Sequence, residues 1–413
     1  MKVKNKIPDG WQNYKLEEIL EFKNGINTDK ESYGSGIPFV NVMDVFASNS
    51  LKAADIRGRV SLDKKRVADN LVVRGDILFN RTSEVEDEIA YSTVYLDDEP
   101  IVFGGFVIKG HPTGDHLCDQ YKKYCFFASY VRREMIRRSQ GAVRSNIGQN
   151  DMSEVELLVP PLKEQKAIAD VLAVWDLAIE KTERLIAAKE KKFKWLLNEL
   201  INKPASAPDA QEKGWRKVRL GDVCNAVTRK NSSGDDNVLT SSAQNGLISQ
   251  KEYYNKYVSA EDVSGYYLLK RGEFAYNRSS AQGYPYGAIK RLDKYDSGVL
   301  STLYLCFSIC GELTCHSDFL LYLFESKVLN KLLRKVCQEG ARSHGLLNIT
   351  KDDFFNLYLF LPSFDLQKKI AQAIKRAEEE IFLLKKIEVE YKKQKQGLMQ
   401  KLLTGQWRVN CGG

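Results

Sequence analysis

Two stretches of the chain place apolar residues at alternating steps of three and four. The first runs Leu172, Trp175, Ile179, Thr182, Ile186, Lys189, Phe193, Leu196, Leu200. The second runs Ile374, Ala377, Ile381, Leu384, Glu388, Tyr391, Lys395, Leu398, Leu402. A heptad repeat sustained over about four heptads predicts a coiled-coil seam. Each stretch is therefore expected to form one long helix, and the natural partner of each seam is the other. At roughly 38 residues, each helix would span on the order of 55–60 Å. Thr182, Lys189, Glu388 and Lys395 interrupt the seams; polar residues there cost stability and select partner or register. Pro160-Pro161 and Pro362 stand where proline favours a helix start. Lys203-Pro204 and Gly405 stand where helices stop.

Elsewhere the apolar runs are short. Ile37–Val42, Ile77–Phe79, Ile101–Ile108 and Val299–Phe307 read as strands. Tyr121–Arg138 and Asp318–Cys337 read as helices between them. The expectation is α+β: two mixed α/β domains separated by the two long helices.

The two halves repeat one plan. Gly10-Trp11, Lys15-Leu16 and Ile19 match Gly214-Trp215, Arg219-Leu220 and Val223 without a gap. RGDILFNRTS at 74–83 pairs with RGEFAYNRSS at 271–280, and GAVRSNIGQND at 141–151 with GARSHGLLNITKDD at 340–353. VPPLKEQKAIA at 159–169 pairs with LPSFDLQKKIA at 361–371. A repeat of this length implies duplicated domains, not a solenoid. The expected boundaries are a first domain at 1–160, a helix at 161–203 and a flexible linker at 204–213. A second domain at 214–361, a second helix at 362–405 and a tail at 406–413 follow.

The chain has 413 residues and a formal charge of +8, a mild basic excess compatible with a polyanionic partner. Its eight cysteines fit neither a disulfide framework nor a zinc pattern, so free thiols in a reducing compartment are expected. The start, MKVKNKIPDGW, lacks a secretory h-region, and no apolar run has the length of a membrane span. A cytoplasmic protein is expected. The chain has no GxxxxGK[ST] loop, and its four histidines form no HExxH or triad pattern. Phe103-Gly104-Gly105 is only a fragment of a dinucleotide-binding turn.

The order of these motifs resembles the specificity subunit of type I restriction–modification systems. The resemblance rests on Gly10-Trp11 with Leu16, Arg74-Gly75-Asp76, Val159-Pro160-Pro161-Leu162 and Glu164-Gln165 in the first half. In the second it rests on Gly214-Trp215, Leu220-Gly221-Asp222, Leu361-Pro362, Leu366-Gln367 and the terminal LMQKLLTG at 398–405. It implies two target recognition domains, each reading one half of a split site on double-stranded DNA. It implies helices that pair antiparallel as a ruler. Two modification (methyltransferase) subunits would dock there, carrying S-adenosylmethionine and methylating adenine. Restriction subunits with ATP- and Mg-dependent translocation and the nuclease would join them. This chain itself would hold no cofactor or metal and carry no catalytic residue. Leu366 stands where the first half has Glu164, which argues against one shared role for that carboxylate. A coiled-coil scaffold that binds only protein and a single-chain enzyme with an unfamiliar site remain the alternatives.

Base edges supply sequence, while most protein–DNA hydrogen bonds go to phosphate and sugar. On those grounds the candidate DNA contacts are Asn80, Arg81, Thr82 and Ser83 with Arg144, Ser145 and Asn146 in the first half. Asn277, Arg278, Ser279 and Ser280 with Arg342, Ser343 and His344 are the candidates in the second. Residues shared by halves that read different sequences are equally suited to holding the fold or touching phosphate. The unshared loops 24–36 and 228–246 would then carry the base code. Arg132, Arg133, Arg137 and Arg138 form a further basic cluster suited to phosphates.

Overall fold

The long helices form where the heptads predict them, at Leu162–Leu197 and Phe364–Leu403. The predicted seam residues are the ones withdrawn from solvent. Leu172, Ile186, Ile374 and Leu402 are buried, and Trp175, Ile179, Phe193, Leu196, Leu200, Ile381, Leu384, Tyr391 and Leu398 are half-buried. The polar interruptions are satisfied locally. Lys189 pairs with Glu380 at 2.6 Å, Lys395 with Asp176, and the Thr182 hydroxyl donates to the Ala178 carbonyl at 2.8 Å.

This computed structural model describes residues 7–141, 143–242, 246–254, 262–280, 283–311, 315–336, 338–339 and 347–409. The chain divides into two units, one of residues 1–183 with 386–413, the other of 184–385. Each long helix therefore gives one part to each unit. In the first unit the Trp175 ring meets Tyr391 edge-on at 5.8 Å, and Lys392 pairs with Glu183 at 2.7 Å. Ile168, Ala169 and Leu172 share a core there with Leu398, Leu402 and Leu403. In the second unit Lys189 and Glu190 pair with Glu380 and Lys385, while Leu197 and Ile201 share a core with Ile370 and Ile374. Within each unit the helices thus run antiparallel.

The sheet of the first unit has the order Leu20–Asn24, Val107–Pro112, Ile77–Asn80, Ser92–Tyr95, Ser50–Leu51. Ile77–Asn80 is buried along its whole length, as a central strand with both faces covered must be. In the second unit Cys224–Ala226, Leu305–Ile309, Phe274–Asn277 and Ala288–Arg291 repeat the order of the first four strands. An antiparallel ribbon joins the start of each domain to its end: Gln12–Lys15 with Glu156–Val159, and Arg216–Arg219 with Tyr358–Leu361. The expected fold class holds: two pseudo-equivalent α+β domains and a duplicated pair of long helices.

Four expected elements are divided. Ile101–Ile108 is two strands, Val102–Phe103 and Val107–Pro112, separated by a turn at Gly104 and Gly105. That turn passes so close to Gly25 that a Cβ there would lie 2.2 Å from the Gly104 carbonyl oxygen. Val299–Phe307 likewise spans Ser297–Leu300 and Leu305–Ile309. The helix expected at Tyr121–Arg138 is two, Asp119–Cys125 and Ser129–Arg138. The one at Asp318–Cys337 is Ser317–Glu325 and Asn330–Val336, broken where Lys327 takes a φ of 63°.

Lys203-Pro204 does not end the first long helix. A π turn at Asn198–Asn202 leads into a helical turn at Lys203–Ser206, where Pro204 lies in the first turn and blocks no hydrogen bond. Within the expected linker Ala205 and Ala210 are buried with Trp215, while Ser206, Pro208 and residues 211–213 are exposed. No described helix is long and apolar enough to cross a membrane.

Candidate nucleic-acid interface

The repeated motifs first build the scaffold under the tips. Gln165 accepts from the Cys118 amide at 2.9 Å and donates to the carbonyls of His116 (2.7 Å) and Pro160 (2.9 Å). Gln367 accepts from the His316 amide at 2.9 Å and donates to the Pro362 carbonyl at 3.0 Å. Both amides are buried and tie a long-helix start onto its domain. A second lock is a tyrosine hydroxyl on a long-helix carboxylate: Tyr124 to Asp176 at 2.6 Å and Tyr322 to Glu378 at 2.7 Å. Burial, and then the bond to the carboxylate, push both phenols well above their ordinary range. The repeated RGD/RGE carboxylate holds its turn too. Asp76, fully buried, accepts from the Val73 amide at 2.9 Å and lies 2.6 Å from His111 Nδ1; Glu273 accepts from the Lys270 amide and Arg229, both at 2.8 Å.

On this scaffold the central strand of the first unit emerges at Asn80. Thr82–Ser83 then pairs antiparallel with Ser145–Asn146, so the two candidate segments of the first half form one ribbon. The Ile147 amide donates to the Arg81 carbonyl at 3.0 Å. Gly141 enters this ribbon at φ 125°, and a Cβ there would lie 2.1 Å from the Arg144 carbonyl oxygen, so only glycine fits. The second unit repeats the contact: the Leu347 amide donates to the Arg278 carbonyl at 2.9 Å.

Several candidates are corrected by their surroundings. Asn80 is fully buried and donates to the Thr82 carbonyl at 3.3 Å, so it cannot reach a base; its Oδ1 has no partner among the described residues. Ser83 is buried against Glu88 at 3.4 Å. Arg278 spends its guanidinium on the carbonyls of Leu303 (2.9 and 2.8 Å) and Ile349 (3.2 Å), which makes it a clasp of the fold. Arg132 is likewise internal: it donates to the carbonyls of Ala90, Asp87 and Ile89, and burial pushes its pKa down to about 10. Arg137 and Arg138 share Glu134. Arg133 alone of that cluster is exposed without a hydrogen bond or ion pair among the described residues.

What remains at the first tip is Arg81, whose guanidinium has no hydrogen bond or ion pair among the described residues, with Thr82, Arg144, Ser145 and Asn146. Thr82 donates to Asn146 at 2.9 Å, and Asn146 donates to the Arg144 carbonyl at 3.0 Å. Arg144 is exposed but pairs with Glu84 at 2.7 Å. The second tip presents exposed Ser279 and Ser280, with Asn277 accepting from the Ser279 amide at 3.0 Å. Arg342, Ser343 and His344 lie outside the described residues. Among the described residues no group of three His, Cys, Asp or Glu side chains could hold a metal.

A duplicated α+β domain, each copy offering a polar strand-end tip and each locked to a duplicated long helix, defines a bipartite recognition protein. Comparison with known proteins gives that class its family. The model of the type I restriction modification DNA specificity domain matches twice, at residues 8–190 and 212–392, and the chain belongs to this family of non-catalytic specificity subunits. It is 22% identical over 426 residues to a putative type I restriction enzyme specificity subunit, MjaX, of Methanocaldococcus jannaschii, covering 98% of this chain and 95% of the relative. Its fold is similar to the S subunit of a type I system from M. genitalium (TM-score 0.53, 15% identity, 97% and 98% coverage). It is also similar to the HsdS subunit from Thermoanaerobacter tengcongensis (TM-score 0.52, 16% identity, 98% and 99% coverage).

Proposed function

We propose that each unit reads one half of a bipartite site on double-stranded DNA, and that the paired helices set the distance between the halves. Two modification subunits dock on the helices and bring S-adenosylmethionine and adenine methylation. Restriction subunits join with ATP- and Mg-dependent translocation and cleavage, in the cytoplasm. This chain contributes recognition and geometry. The observation that carries the reading is the duplicated tip: one sheet order, one strand-end Asn-Arg, one amide-to-carbonyl closure from Ile147 or Leu347, in both units.

Half-sites read by a twofold module lie about one DNA turn, or roughly 34–36 Å, apart. Antiparallel helices of 36 and 40 residues are long enough to set such a spacing. The test is binding of the chain, with and without modification subunits, to duplexes carrying the motif that genome-wide methyladenine mapping assigns to it. Specific, salt-sensitive binding that appears on adding the modification subunits supports the reading. A stable assembly indifferent to DNA sequence refutes it.

A further inference from the structure

Two exposed apolar side chains occupy one equivalent position in the two units. Phe106 is 63% exposed and Leu303 is 58% exposed. A lone exposed apolar residue needs no explanation. These two share a register. Val107 stands opposite Asn80, and Leu305 stands opposite Tyr276. Phe106 immediately precedes the strand residue opposite Asn80, and Leu303 lies two residues before the one opposite Tyr276, which adjoins Asn277.

Each also carries the carbonyl that the strand-end arginine holds. The Arg81 amide donates to the Phe106 carbonyl at 2.8 Å, and the Arg278 guanidinium donates twice to the Leu303 carbonyl. The turns are fixed by their own main chain. Val107 donates to Gly104 and Gly105 to Ile26, both at 2.9 Å, while Tyr304 donates to Ser301 at 3.0 Å. An outward apolar side chain on a fixed turn needs no reordering to bind. Phe106 adjoins Arg81, whose guanidinium has no hydrogen bond or ion pair among the described residues, and Leu303 adjoins Arg278, which leads into the exposed Ser279 and Ser280.

Apolar side chains that carry sequence information at DNA interfaces do so by contact with bases: against a thymine methyl in the groove or against the stack itself. Phosphates offer them nothing. We propose that Phe106 and Leu303 are the apolar base contacts of the recognition domains, each acting in its own half-site. The proposal rests on the DNA-reading function above and adds residues that determine specificity. The aromatic ring in one unit and the branched aliphatic in the other give the halves different base preferences from one scaffold position.

The experiment uses the full chain assembled with its modification subunits. The probes are a duplex carrying the methylation-mapped site and two duplexes with one half-site scrambled. F106A is expected to weaken binding to the intact site about 5- to 150-fold, the range of one aromatic–base contact. It should leave unchanged the binding to a duplex whose matching half is already scrambled. L303A should do the same at the other half. F106L, which keeps an apolar tip, should retain most of the affinity.

The slope of log K against log salt should stay that of the unaltered complex, because no phosphate charge is lost. Deoxyuridine for thymidine then tests a methyl contact, and 2-aminopurine fluorescence tests contact with the stack; a response to F106A in either arm supports the proposal. An equal loss on all three duplexes, a changed salt slope, or undiminished affinity for the intact site overturns it. Absence of site-specific binding by the unaltered complex would instead refute the function on which the proposal rests.

Discussion

Glu164 should stabilise the first unit more strongly when the C-terminal tail returns to it. The carboxylate is buried, accepts from Trp11 Nε1 at 3.0 Å, and pairs with Arg408 through Nε (2.6 Å) and a terminal nitrogen (2.8 Å). A hydrogen bond to a charged group contributes about 1.5–3 kcal/mol. Arg408 is nearly half exposed, so its pairing adds only about 0.5–1 kcal/mol. Glu164→Leu, which copies the second half's Leu366, should therefore cost the full chain about 2–4 kcal/mol. In a chain ending at Gly405 the arginine is gone, and Glu164 becomes a buried carboxylate with one hydrogen bond. There Glu164→Leu forfeits only the Trp11 bond, so its cost should fall by the ion-pair share, about 0.5–1 kcal/mol. Urea unfolding of the four proteins, compared by midpoint at constant m, measures the difference. An equal cost of Glu164→Leu in both chains would refute the reasoning.

Four further outcomes follow from the structure. Arg278→Ala should destabilise the second unit by about 1–3 kcal/mol, because the Leu303 and Ile349 carbonyls lose their donor, and lysine should not rescue it. Arg81→Ala should leave stability within about 0.5 kcal/mol yet reduce the salt slope of DNA binding by about one, as read by urea unfolding and by binding titrations. Burial alone would raise the Asp318 carboxyl, but Arg291, at 2.7 Å, and Lys375 hold it below its ordinary 3.8. That stabilisation is complete above about pH 3.8 and is lost as pH falls below it, so Asp318→Asn should flatten the acid limb of a melting-temperature-against-pH curve. Burial pushes the Cys306 and Cys315 thiols up to about 12. With Cys337 and Cys411 replaced by serine, Ellman's reagent at pH 8 should titrate only the half-exposed Cys118 and Cys310 before unfolding.

The long helices were legible because a heptad states its own burial. Every predicted seam position is withdrawn from solvent, and the lysines in the seam find carboxylates across it. The duplication was legible because its motifs do the same structural work twice, as Gln165 and Gln367 do at their helix starts. The strand breaks were not, since one turn between two apolar strands leaves the run nearly continuous.

The tips were half legible. The sequence pointed to 80–83 and 144–146 separately, and the structure joins them. Whether a given arginine is free is a nonlocal matter. Arg278 clasps a carbonyl 71 residues away, while Arg81, in the same motif, does not. Phe106 and Leu303 had no sequence signal, because an exposed apolar residue in a strand-rich stretch looks like core.

Exchange of residues 10–160 for another recognition domain, followed by methyladenine mapping, tests most directly whether the two halves read independently. One half of the methylated motif should change while the other half stays as it was. Simultaneous change of both halves would contradict the independence of the two readers.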